Sequence, residues 1–371
     1  MPRQRPGAFP SPLPQLYAKW LNDLLPGPVP QETEATCDDC AMCRKGGAAS
    51  DAVFFHPELK CCTYVPELPN FLVGRILADE DPTMAAGRAS LEARVAARIA
   101  VTPLGVGTPP VQGLLYREVG GAVFGRARAL RCPHFQEDGG RCGIWPHRNA
   151  VCATWFCKHV RGAVGLRFWG RLEHLLGAVE DTLAYWCVLE LEVCSDALAR
   201  LFKLRGESGT PASIDAAAVD GLIDADHYRS LWGNWHGRER EFYEDAARRV
   251  DGLSWERILA LGGPGLRILA DLAIQAWTAL TSRELPDPLV LGLFEAVPLG
   301  LHASRVVSHN ANDPLKLSKA LLDVLPYFDG RPTREVLRTI ERVSGLTLAP
   351  SLLRKLTDFE ILVPTSSSIR P

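Results

Sequence analysis

The sequence predicts a mainly α-helical protein built from an irregular, metal-stabilised cysteine-rich domain, a helical bundle and a C-terminal winged-helix-like module. Three observations predict it. Nine of the eleven cysteines fall in two bunches within residues 37–162, a stretch dense in glycine and proline. From Gly165 onward the pattern changes to apolar residues at alternating three- and four-residue steps. Beyond Pro286 and Pro288 the chain turns to short helical and strand-like runs. A length of 371 residues exceeds what one core usually fills, so several domains are expected. Charged residues make up 23% and hydrophobic ones 47%, the balance of a globular chain rather than a disordered one.

Residues 1–36 form a proline-rich N-terminal arm with a short helical piece from Leu16 to Leu25. Residues 37–162 form the cysteine domain, with a helix expected over Ala85–Val101 and strand character over Val111–Phe124. A region this poor in long periodic segments is usually stabilised by something besides an apolar core, and metal is the candidate present. Residues 163–285 form the helical domain. Trp169, Leu172, Leu176, Val179, Leu183, Trp186, Val193 and Ala197 mark one long amphipathic helix. Pro211 and Ser213 open another helical segment. Ser254 caps a helix that Gly262, Gly263, Pro264 and Gly265 interrupt, and a further helix follows from Leu266 to Leu280. Residues 286–371 form the winged-helix-like module, with a strand pair in Val297–Ser308, helices over Leu315–Phe328, Arg334–Val343 and Pro350–Phe359, and a closing strand at Ile361–Val363.

No run approaches the length of about eighteen consecutive apolar residues that a membrane-spanning helix needs. The N-terminal segment is broken by prolines and lacks the apolar stretch of a signal peptide. A cytoplasmic protein without membrane contact is therefore expected. Thiols stay reduced in that compartment, so clustered cysteines point to metal rather than disulfides, and their odd number agrees.

The first bunch is Cys37-x2-Cys40-x2-Cys43 followed by Cys61-Cys62; the second is Cys132, Cys142, Cys152 and Cys157. All nine are candidate ligands. Ferredoxin-type iron–sulfur sites use a C-x2-C-x2-C step with a fourth ligand from elsewhere, whereas structural zinc prefers separate C-x2-C pairs. The triple favours an iron–sulfur cluster and leaves zinc open; it is not the C-x3-C-x2-C step of radical SAM enzymes. His134, His147 and His159 are spare candidates, more often partners of a ligand than ligands themselves. Cys187 and Cys194, seven apart on the long helix, read as buried small hydrophobes. Between Arg126 and Arg171 nine basic residues face two acidic ones, a local net charge of +7. Cations beside thiols favour the thiolate form. The whole-chain pI near 6.5 argues against nucleic acid as a partner.

The segment Cys142-Gly-Ile-Trp-Pro-His-Arg148-Asn-Ala-Val-Cys152, with Cys132-Pro133 before it, resembles the YkgJ-type cysteine-cluster family of zinc- or iron-chelating proteins over residues 37–162. Cys37, Cys40 and Cys43 match the first three positions of that family's cysteine knot, Cys132-Pro133 the second element, and Cys142, Ile144, Arg148 and Cys152 the third. Trp145 replaces a tyrosine and Asn149 a proline. Arg44 stands where the family's fourth adjacent cysteine belongs, so Cys61-Cys62, seventeen residues on, become the substitute ligands. The resemblance implies metal binding and names no reaction. The run Leu325-Pro-Tyr-Phe-Asp-Gly-Arg-Pro-Thr-Arg-Glu-Val336 resembles the middle of PqqD-like peptide-binding domains, which implies a peptide or protein partner for the C-terminal module.

Together these imply an accessory or modifying factor that holds a metal and acts on a polypeptide. Two alternatives stand beside it: a zinc-stapled interaction protein without catalysis, and a methylase related to flagellin lysine N-methylases, which share the cysteine knot. No glycine-rich cofactor fingerprint follows a strand, since Gly105-x-Gly107 is a lone fragment. Carboxylates add little. Glu173, Glu180, Asp224 and Asp226 read as solvated helix faces, without the Glu-x-x-His pairs of di-iron bundles.

Overall fold

A computed structural model describes residues 13–35, 40–43, 54–206 and 224–365, with the side chains of 203–206 left aside. The helical segment expected at Pro211 and Ser213 lies outside these residues. The chain divides into two compact units. The first takes Met1–Gln31, Cys37–Trp155 and Leu172–Asp271; the second takes Glu32–Thr36, Phe156–Arg171 and Leu272–Pro371. Helices dominate both, as the sequence predicts.

Within the stretch expected as an arm, α1 (Gln15–Leu24) buries Leu16, Tyr17, Trp20 and Leu21 on one face. Lys19 holds it in the first unit by donating to the Asp251 carbonyl at 3.0 Å. Strand β1 (Leu68–Pro69) leads into α2 (Asn70–Ala78), followed by α3 (Ala85–Ala96), β2 (Val101–Thr102) and β3 (Gly105–Val106). The three strands form an antiparallel sheet in the order β1-β3-β2. Asn70, fully buried, ties this corner together. Its Nδ2 donates to the carbonyls of Pro103 (3.0 Å) and Ala184 (2.9 Å), and its Oδ1 accepts from the Phe71 N–H (2.8 Å).

The strand character expected over Val111–Phe124 is corrected by α4 (Pro110–Val123). Pro110 sits in the first helical turn, where its fixed φ and missing N–H suit a helix start. The hairpin of β4 (Phe135–Gln136) and β5 (Arg141–Cys142) follows, then the single-turn α5 (Ala150–Thr154).

The long amphipathic stripe forms α6 (Gly162–Glu190), which buries Phe168, Trp169, Leu172, Leu176, Val179, Leu183 and Cys187. The helix stops earlier than expected. Glu192 takes a left-handed φ of 51°, and a new helix α7 (Ser195–Gly206) begins, with Val193 and Ala197 still buried. Cys194 lies in the break and is exposed, which corrects its reading as a buried small hydrophobe. Asp224 caps α8 (Ala225–Trp232) through the N–H groups of Asp226 and His227, so its carboxylate has a structural partner. Helix α9 (Glu239–Asp251) packs Phe242, Tyr243, Ala246 and Val250 inward against α2, where Gly74 lets the helices meet so closely that an added Cβ would overlap the Tyr243 carbonyl.

Ser254 Oγ accepts from the Arg257 N–H at 3.3 Å at the start of α10 (Trp255–Thr281). The interruption expected at the glycine-proline run is a kink at Gly263, whose φ of 64° only glycine adopts readily ahead of Pro264. By length and composition α10 is apolar enough to cross a membrane, with 22% of its most apolar window buried. The test of uninterrupted apolar runs misses it because glycines and a few charged residues punctuate the helix.

In the second unit β6 (Leu289–Leu291) pairs antiparallel with the last strand, and β7 (Glu295–Pro298), β8 (Ala303–Val307) and β9 (Leu315–Ser318) form an antiparallel sheet in that order. The expected helix over Leu315–Phe328 begins as β9, because Ser318 caps the shorter α11 (Lys319–Val324) through the Leu321 N–H. Helices α12 (Thr333–Ser344) and α13 (Pro350–Asp358) and strand β10 (Leu362–Pro364) follow as the sequence pattern predicts. Leu289, Val306, Leu325, Phe328, Val336, Ile340, Leu356 and Leu362 belong to one apolar core. Arg161, in this unit's Phe156–Arg171 segment, clamps Asp358 with bonds of 2.8 and 2.5 Å. Glu32 accepts from the Val160 N–H (2.6 Å) and the Trp169 indole (2.7 Å).

Candidate metal centre

The first bunch begins with a turn in which the Cys43 N–H donates to the Cys40 carbonyl at 3.1 Å. The turn is fixed by a bridge from Cys43 to Phe55, whose N–H reaches the Met42 carbonyl at 2.7 Å. Cys37 and Arg44 lie outside the described residues. Cys61 and Cys62 sit in a hydrogen-bonded turn after Lys60, whose φ of 51° is left-handed, with the Cys62 N–H on the Leu59 carbonyl at 2.9 Å. The second bunch joins the first directly, because the Cys132 N–H donates to the Cys62 carbonyl at 2.9 Å. The β4–β5 hairpin then sets Cys142 opposite Phe135, and Asn149 caps α5 by accepting from the Cys152 N–H at 3.1 Å. Asn149 thereby does as a helix cap what a proline cannot do with its side chain. Trp145 takes the Arg148 guanidinium over its ring at 3.3 Å.

The thiols are electrostatic neighbours across both bunches. Burial, the Cys40 thiol and the nearby Cys61 push Cys43 up to about 12. A hydrogen bond to Cys62, with burial and Cys40, raises Cys61. Burial foremost, then Cys142 and Cys61, holds Cys132 up at about 12. Burial, Cys132, Cys142 and Cys61 raise Cys152. Cys43, Cys61, Cys132 and Cys152 therefore resist ionisation while they are buried beside other thiols. A cation among them reverses the repulsive cause, which is why metal binding and thiol deprotonation are coupled. Among the described residues no three histidine, cysteine or carboxylate side chains converge closely enough to hold a metal ion. Cys157 is buried and belongs to the second unit, so it is not grouped with these seven thiols.

Arg94 of α3 lies beside this cluster, on the helix whose Gly87 closely approaches the Gly143 carbonyl. Arg94 is 6% exposed, and its Nε and Nη1 make no hydrogen bond among the described residues. Its Nη2 reaches the Gly107 and Ile99 carbonyls, and burial lowers it to about 10 while the neighbouring Cys132 raises it. It stays a cation at neutral pH. His134 is 2% exposed, and its Nδ1 lies 2.8 Å from Ser90 Oγ. That hydroxyl donates to the Gly87 carbonyl at 2.7 Å, so it accepts from Nδ1–H, leaving Nε2 with a lone pair and no partner among the described residues. Burial and Arg94 hold His134 down at about 3, in the neutral form. His147 instead pairs with Asp79 at 2.7 Å, and His159, in the second unit, donates its backbone N–H to Asp313 at 3.0 Å. Nothing local in the sequence marks Arg94, one of two arginines in an alanine-rich helix; its role comes from which face of α3 meets the hairpin.

Glu180 corrects the reading of the helical carboxylates as solvated. It is 7% exposed, and its Oε1 accepts from the Tyr17 hydroxyl and, at 2.8 Å, from the Ala150 N–H. Burial pushes it up to about 8. Because the folded value exceeds the ordinary 4.5, the folded state holds a proton that the unfolded chain gives up. Its contribution is fully present below about pH 4.5 and is lost as pH rises through about 8, a gap worth on the order of 5 kcal/mol. Glu180→Gln keeps the acceptor without the charge, so its unfolding midpoint should exceed that of the parent at pH 9 and match it near pH 4.5. Equal midpoints at both pH values would contradict the raised value. Cys187, buried on α6 with its thiol 3.8 Å from the Ala246 carbonyl, stands apart from the cluster. Cys187→Ser should leave metal per chain unchanged, as checked by elemental analysis.

Comparison with known proteins returns no match among protein-family profiles, curated proteins or solved structures.

Proposed function

We propose that the chain is a metal-binding cysteine-cluster protein, holding an iron–sulfur cluster or zinc on thiolates drawn from Cys37, Cys40, Cys43, Cys61, Cys62, Cys132, Cys142 and Cys152. The carrying observation is the meeting of the two bunches, joined by the bond from Cys132 to Cys62 and by the mutual effect of seven thiols on one another. The buried Arg94 supports it. A guanidinium with two unsatisfied nitrogens beside neutral thiols is costly, whereas beside a metal–thiolate centre of net negative charge it is compensated. The donor set therefore fits a thiophilic metal, with the neutral His134 available as a nitrogen partner or ligand. A bound iron–sulfur cluster would supply one-electron transfer, and zinc a structural tether. The reading also rests on the resemblance of Cys132-Pro133 and Cys142–Cys152 to the YkgJ-type pattern.

The chain acts, on this reading, as a cytoplasmic accessory or modifying factor on a peptide or protein, recruited by the winged-helix-like, PqqD-like C-terminal module. Strand β7 is an open sheet edge, and Leu293 (92% exposed) and Leu301 (86% exposed) flank it, which suits a docking polypeptide. The optical spectrum and acid-labile sulfide of anaerobically purified protein test the choice of metal. A brown sample with broad visible absorption and stoichiometric sulfide is expected. A colourless, zinc-loaded, sulfide-free sample would replace the iron–sulfur reading by the zinc-stapled one.

A further inference from the structure

A cavity of about 440 Å³ opens in the first unit between the small sheet, α6 and the Asn149–Val151 turn. That volume is within the range of small-molecule sites. Leu68, Pro69, Leu104, Val106, Val151 and Ala184 give it apolar walls. Its charged lining is of one sign, Glu67, Glu180 and Asp181, without lysine, arginine or histidine. Glu67 and Asp181 are exposed at the rim, while Glu180 is 7% exposed. Glu180 Oε1 takes both of that residue's hydrogen bonds, from Tyr17 and Ala150, neither of which lines the cavity. Its Oε2 has no partner among the described residues, so it is the oxygen presented to the cavity.

We propose that this cavity is a binding site for an aliphatic primary amine, whose ammonium group meets Glu180 Oε2 and whose methylene stem lies along the apolar walls. The apolar walls beside the carboxylates offer contact to a methylene stem, which a bare metal ion would leave unused. Glu67 and Asp181 at the mouth attract cations toward the opening, and Tyr64 and Tyr185 offer ring faces within the lining. A buried carboxyl left with one free oxygen acquires its missing donor from such a ligand. No thiol is among the lining residues, although Val151 and Tyr64 place the cavity beside Cys152.

Isothermal titration of the full chain with 1,4-diaminobutane tests it. The measurement belongs at pH 8.5, above the value of about 8 for Glu180 and below the ordinary value of about 10.4 for an alkylammonium. Saturable one-to-one binding is expected, weakened at least tenfold in Glu180→Gln and less in Glu67→Gln, with no binding of butyrate and much weaker binding of butan-1-ol. The Glu67 side chain is exposed, so that variant reports on binding even if Glu180→Gln changes folding. Absence of diamine binding to the parent chain, undiminished binding by both variants, or equal binding of butan-1-ol would overturn the proposal.

Discussion

Cys142→Ser is expected to lose bound metal by at least about tenfold and to lose much of its soluble protein, since even the outer partners of a metal commonly matter that much. Cys142 is on the hairpin that also holds Cys132 and His134, and its thiol adds to the raised values of Cys132 and Cys152. Serine keeps the size and removes the soft donor, so the loss reports on ligation rather than packing. Cys40→Ser should behave alike, because Cys40 shares a hydrogen bond with Cys43 and acts on Cys61. Elemental analysis of both variants against Cys187→Ser makes the comparison. Full metal stoichiometry in Cys40→Ser and Cys142→Ser together would refute the ligand assignment, whatever their solubility.

Gly74→Ala is expected to destabilise the first unit by about 3 kcal/mol, at the upper end of overpacking effects. The added methyl would occupy the space of the Tyr243 carbonyl, a backbone group that cannot swing aside as a side-chain tip can. Relief requires moving α2 away from α9, which loosens Phe71, Val73, Ile76, Phe242 and Ala246 at once. Tyr243 would also lose its bond to the Thr102 carbonyl, now 2.7 Å. Urea unfolding followed by tryptophan fluorescence measures it. A change within about 0.5 kcal/mol, ordinary for surface substitutions, would show that the two helices do not meet as closely as described.

Periodicity revealed the amphipathic parts of the fold and little else. Helix α6, half apolar and half polar, is legible in the three- and four-residue steps of Trp169, Leu172, Leu176 and Val179, although its end at Glu190 depends on backbone geometry at Glu192 that no stripe encodes. Helix α2 was illegible for the opposite reason. Asn70-Phe-Leu-Val-Gly-Arg-Ile-Leu-Ala78 is apolar nearly all round, so burial on every side erased the period that would have marked it. The cysteine stretch thus shares an apolar core with α9 beside its thiols. Strand character was expected over Val111–Phe124, yet Pro110 opens the helix α4, on which Leu114, Leu115 and Val119 remain exposed.

The candidate centre was legible where chemistry is local. Cysteine spacing named the seven described thiols of the first unit, and Asn149 and Trp145, noted only as departures from a pattern, have partners in Cys152 and Arg148. Arg94, the orientation of His134 by Ser90, and the burial of Glu180 arise from segments far apart in sequence. A single chain read by spacing does not show them.

The most direct test of the central claim is X-ray absorption at the edge of whichever metal co-purifies with the full chain, with metal per chain counted on the same sample. The account predicts stoichiometric metal with sulfur neighbours at about 2.3 Å, the distance of a metal–thiolate bond. No stoichiometric metal, or a metal surrounded only by oxygen and nitrogen, would contradict it.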